Sequence, residues 1–92
     1  DANAQFIMGT IYEIGQFFYP DMKEAVKWYK RAAGQSHPQA GLYLGKCYEE
    51  GRGVDVNLKD AALWYWKSAS LGNKAAKAAL DKVEKKIKNP PK

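Results

Sequence analysis

Cys47 is the only thiol in the chain and His37 the only imidazole. A reactive thiolate needs an electropositive, accessible setting, and Lys46 alone provides little of one. Cys47 stands instead among apolar residues at helical spacing, which predicts a small buried group. His37 precedes Pro38 at a helix entry, where capping or solvent contact is expected, and no Cys, His or Asp partner lies at ligand spacing. Gly51-Arg52-Gly53 has the small residues of a phosphate loop. It lacks the long glycine spacing and the Lys-Ser/Thr ending, and it follows a helical pattern rather than a strand. Glu49 and Glu50 close a helical stretch, where solvated carboxylates are ordinary. With no Ser/His/Asp set, no Cys–His pairing and no cofactor fingerprint, the sequence predicts no catalytic, metal or cofactor site. One cysteine also excludes an internal disulfide framework.

Recognition is the chemistry that remains. The net charge of +5 is not spread evenly: up to Asn73, eight Lys/Arg balance eight Asp/Glu, and beyond it seven lysines face only Asp81 and Glu84. The basic end carries no interleaved aromatics, so a solvated helix is expected rather than a nucleic-acid or membrane surface. No apolar run approaches the roughly 18 residues of a membrane span. The absence of an Asn-x-Ser/Thr acceptor favours a cytoplasmic setting over a glycosylating lumen. The chain opens at Asp1, so a fragment or a processed product is expected.

The elements that must position such a surface recur at a fixed interval. Gly9, Tyr12, Gly15, Lys23, Ala25, Trp28 and Tyr29 return without gaps as Gly45, Tyr48, Gly51, Lys59, Ala61, Trp64 and Tyr65, each 36 residues on. A fixed period of this size marks stacked supersecondary units. The pattern resembles the Sel-one-like repeat, a relative of the tetratricopeptide repeat. In the second copy Ala40, Leu44, Gly45, Tyr48, Gly51, Gly53, Val54, Lys59, Ala61, Trp64, Tyr65, Lys67 and Ala69 carry it. The resemblance implies an all-α fold, an α-solenoid of antiparallel helix pairs. Its units would be repeats at 1–36 and 37–72, a capping helix at 73–88 and a tail at 89–92. It also implies a non-catalytic scaffold or adaptor that binds a partner segment on the concave face of the first helices.

On that face the positions outside the repeat framework are Gln5, Ile7, Thr10, Glu13 and Ile14, then Gln39, Gly41, Tyr43, Lys46 and Glu49, and beyond them Lys82. Ile7, Tyr43 and Lys46 are expected to govern affinity while contributing little to stability. Helices are predicted at 2–16, 22–33, 39–50, 58–70 and from Asn73 onward, with Asp21 and Asn57 as N-caps and Gly15 as a stop. Gly9 and Gly45 should admit a neighbouring helix, with Trp28, Tyr29, Trp64 and Tyr65 filling the space. Of the two tryptophans on the fourth helix, Trp64 is expected in the core, while Trp66 is expected either to cover the next helix or to form an exposed aromatic patch. Phe17, Phe18 and Tyr19 replace the glycine turn of the second copy and are a candidate aromatic anchor. The first helix has no polar helix before it. Its N-terminal face is therefore expected to meet further repeats or a second copy of the chain.

Overall fold

The computed structural model describes residues 1–15 and 19–88, which form α1 (Ala2–Ile14), α2 (Met22–Gly34), α3 (Pro38–Glu50), α4 (Leu58–Ser70) and α5 (Lys74–Lys88). Each helix packs on the next in sequence, and α3 also touches α5. The first helices α1, α3 and α5 thus make one layer and the second helices α2 and α4 the other. Phe17 and Phe18 lie outside the described residues, and Tyr19 is almost fully exposed.

Local chemistry repeats as faithfully as the sequence does. Asp21 accepts from the backbone N–H of Glu24 at 3.1 Å, and Asn57 accepts from that of Asp60 at 3.0 Å. Each satisfies one of the amides that a helix start leaves unpaired. The backbone N–H of Asp21 reaches Tyr12 O at 2.9 Å, and that of Asn57 reaches Tyr48 O at 2.8 Å, so both loops are tied to the preceding helix alike. Gly15 and Gly51 end α1 and α3 in the left-handed conformation, at φ 74° and 72°. Gly53 is needed for a second reason: a Cβ there would lie 2.4 Å from Met22 O.

The helix pairs are joined by one contact used twice. A Cβ on Gly9 would stand 2.5 Å from the ring of Tyr29, and a Cβ on Gly45 2.5 Å from that of Tyr65. The rings lie flat against bare backbone, and both tyrosines are fully buried. The sequence reading assigned this space to tryptophan and tyrosine together, and the structure corrects it. Trp28 and Trp64 are only half-buried and lie beside Arg31 and Lys67, at 4.7 Å in each case. Val26, not singled out before, takes the core position on α2. Gly41 is a further correction, because it is buried against Ser68 instead of lying open on a surface.

α5 keeps one half of this design. Ala76, Leu80 and Val83 stand 36 residues beyond Ala40, Leu44 and Cys47, and Ala76 and Val83 are fully buried against the second repeat. At the position of the packing glycine, however, α5 has Asp81, which is exposed and paired with Lys77 at 3.8 Å.

Candidate functional site

Between α3 and α5 runs a groove of about 530 Å³, floored by Leu42, Ala75, Ala78 and Ala79 and walled by Lys46 and Lys82. A smaller recess of about 180 Å³ continues it towards α1, lined by Glu13, Tyr43, Lys46, Cys47 and Arg52. Helical spacing on α3 puts Leu42, Lys46 and Glu49 on this side while Leu44 and Cys47 face the core. The alanines of α5 leave the groove its depth, since nothing longer than a methyl group fills it.

The structure places Glu49, Lys46 and Lys82 on the groove and Glu13, Tyr43 and Lys46 on the recess, and several of them already have internal work. Glu13 Oε1 accepts from the Tyr29 hydroxyl at 2.6 Å, and Glu49 Oε1 accepts from the Tyr65 hydroxyl at 2.7 Å. The second oxygen of Glu13 lies 3.4 Å from Arg52 Nη2, and that of Glu49 accepts from Lys86. Burial would raise the Glu49 pKa, but the hydrogen bonds from Lys86 and Tyr65 outweigh it and hold the carboxyl below its ordinary value. Burial first, and then the glutamate partner, push both phenols above the usual tyrosine range. Burial likewise pushes the Cys47 thiol up to about 11, so it is held as the inert thiol.

Tyr43 is corrected as well. Its ring meets Phe6 edge-on at 5.1 Å and Tyr29 at 5.5 Å, which ties it to the junction between repeats. It therefore contributes to stability as well as lining the recess. Gln39 accepts from Asn73, Gln5 accepts from Gln35, and Thr10 donates to Ile7 O at 2.7 Å. Ile7 and Ile14 are exposed on α1 but line neither the groove nor the recess. Arg52 was missed: it closes the recess and reaches Glu50 at 3.9 Å as well as Glu13. Only its place between two turn glycines marked it, and that pattern was weighed for phosphate alone.

His37 is the N-cap of α3. Its Nδ1 accepts from Ala40 N–H at 3.1 Å and its Nε2 lies 2.8 Å from Asn3 Oδ1, which sets the neutral tautomer with the proton on Nε2. Among the described residues no group of three or more His, Cys, Asp or Glu side chains could hold a metal ion. No described helix is long and apolar enough to cross a membrane. On the other side of the molecule Leu63, Trp66, Leu80 and Ile87 line a second groove of about 420 Å³ between α4 and α5. Trp66 is exposed there, which selects the exposed patch from the two alternatives.

Antiparallel helix pairs stacked in sequence, with the same contacts returning after 36 residues, define an α-solenoid of helical repeats. The Sel1 repeat model matches residues 2–37 and 38–73, and the chain belongs to that family. Among solved structures it is similar to a Sel1 repeat protein from Oxalobacter formigenes at 36% identity and TM-score 0.86, covering 89% of this chain and 62% of that one. It is also similar to Helicobacter pylori cysteine rich protein B at 30% identity and TM-score 0.83, covering 86% and 59%. A third similar structure is c5321, a protective antigen of uropathogenic Escherichia coli strains with an SLR fold. There the identity is 35%, the TM-score 0.79, and the coverage 82% of this chain and 16% of that one. The chain thus spans less than two thirds of the length of each of these proteins. No match was found among curated protein sequences.

Proposed function

We propose that this Sel1 repeat module is a non-catalytic scaffold that binds a segment of another protein in the groove between α3 and α5. The observation that carries the reading is the groove's construction. Its floor is three alanines and a leucine, while the exposed Lys46 and Lys82 stand at its walls outside the core. Small floor residues leave room for an incoming chain, and long amphipathic side chains can fold over it. Ala78→Trp, at an exposed position, fills the groove without touching the core. Partners captured by the parent module should be lost with Ala78→Trp and kept with Trp66→Ala in the opposite groove. Equal capture by the parent and both variants would remove the groove from consideration.

A second reading has its own observation. Ala40 is fully buried, whereas its counterpart Ala4 is exposed on α1, on the same helix as the exposed Ile7. This open face accommodates a helix of the α2 type, from further repeats or from a second copy. In sedimentation a self-associating parent should become monomeric with Ala4→Glu and Ile7→Glu. A parent that is monomeric at millimolar concentration speaks against the second copy.

A further inference from the structure

The charges around the groove do not cancel locally. Its acids are committed within the chain: Glu49 holds the Tyr65 hydroxyl and the Lys86 ammonium, and Glu50 faces Arg52. Arg52 is in turn shared with Glu13. Lys46 and Lys82 make no ion pair among the described residues. The Lys46 ammonium lies 5.8 Å from the Tyr43 ring, and Lys82 favours the charge on Glu49 from a distance without pairing to it. Two ammonium groups are thus left unmatched on opposite walls of one cleft, above a floor of methyl groups.

We infer that the occupant is an acidic protein segment, with Asp or Glu carboxylates set against Lys46 and Lys82 and small side chains seated over Ala75, Ala78 and Ala79. This rests on the groove reading and adds the chemistry of the partner to it. A volume of about 530 Å³ is more than one carboxylate needs, and two lysines beside an apolar floor match side chains spaced along a chain. A single-stranded nucleic acid would need stacking surfaces; among the described residues the groove itself is lined by one aromatic, Tyr65, whose ring is fully buried, and Tyr43 in the adjoining recess is engaged with Phe6 and Tyr29. Unmatched charge at the rim raises the association rate for a partner of opposite sign and excludes basic ones.

The test uses labelled twelve-residue peptides alternating Glu with Ala, Gln with Ala and Lys with Ala, together with an oligothymidylate of the same length. Binding is read by fluorescence anisotropy and located by amide shifts in NMR. The parent is compared with Lys46→Gln/Lys82→Gln, and with Lys59→Gln/Lys88→Gln as a control of equal charge in the opposite groove. Circular dichroism checks that all three are folded. The Glu/Ala peptide should bind the parent, shift the Ala78 and Ala79 amides, and weaken about tenfold in the groove variant while the control is unchanged. Equal weakening in both variants, or equal affinity for the Gln/Ala peptide, overturns the inference. So does an oligothymidylate that shifts the same amides at least as strongly. If the Gln/Ala or Lys/Ala peptide shifts those amides and the Glu/Ala peptide does not, the groove stands and its acidic preference falls. If no peptide shifts them, the groove reading falls with it.

Discussion

α1 and α3 carry the same framework 36 residues apart, yet they live in different surroundings. α3 is flanked by α2 and α4, and Ala40, Leu44 and Cys47 are all buried. α1 packs chiefly on α2, with Phe6 also meeting Tyr43 of α3; Ala4 is exposed, and Met8 and Ile11 are half-buried. The lesson is that the repeat pattern sets which side chains face inward, while neighbours decide how fully each is covered. The same residue type should therefore be worth more in the second repeat than in the first.

The largest test of that difference is Tyr65→Ala. It removes a fully buried ring and leaves Glu49 without its phenol, so a loss of about 3–5 kcal/mol is expected in chemical denaturation. Tyr29→Ala should lose less because α1 can settle into the space, and Trp64→Ala should lose less than either. A larger loss for Trp64→Ala would reverse the core assignment made here.

Next in size is the glycine pair. Gly45→Leu forces a side chain into the Tyr65 ring with α3 held on both flanks, for an expected loss of about 3 kcal/mol. Gly9→Leu makes the same clash against Tyr29, but α1 can move away on its open side. Its melting temperature should fall less, and equal falls would mean that the open flank gives no freedom.

Glu49 allows a sharper comparison through pH. Its folded pKa is held below the ordinary 4.5, so its contribution is fully present above that value and is lost as pH falls through the folded pKa. Glu49→Gln should therefore be less stable than the parent at pH 7, with the gap closing below about pH 4. A gap that stays constant across this range would assign its role to packing instead of charge.

The smallest effect concerns the turn after the second helix of each pair. Ser36 has φ 65° where its counterpart Gly72 has 98°. Ser36→Gly should raise stability by up to about 1 kcal/mol, while Gly72→Ser lowers it similarly. A destabilised Ser36→Gly would show that the hydroxyl matters more than the strain.

Much of the fold was legible because period, caps and breakers agreed. α4 has the predicted bounds, and α3 was predicted within one residue. What sequence could not tell was which of two adjacent aromatics meets the glycine. Trp64 and Tyr65 differ by one step around the helix, and both are bulky enough to be core. The tyrosine wins because its hydroxyl reaches Glu49 while its ring lies flat on Gly45, a pairing with no local signature. His37 was legible only as a helix-entry residue. Its equivalence to Asn73 appears once both are seen to cap the next helix and to donate back to the preceding first helix. Only the family resemblance puts Lys46 and Lys82 on the partner-facing side of the first helices, and the internal use of Glu13, Glu49 and Tyr43 required the neighbouring layer.

Asp81 gives the array a direction. In both repeats the second helix joins the first by laying a tyrosine ring on bare backbone, and α5 presents a charged side chain at that point. Whatever continues a longer chain cannot be added to α5 by the same joint. α1 keeps its packing glycine and α5 does not, so the two outer first helices differ in whether they can seat a tyrosine ring. Asp81→Gly, with a matching helix supplied behind it, would give α5 the bare backbone that this joint uses.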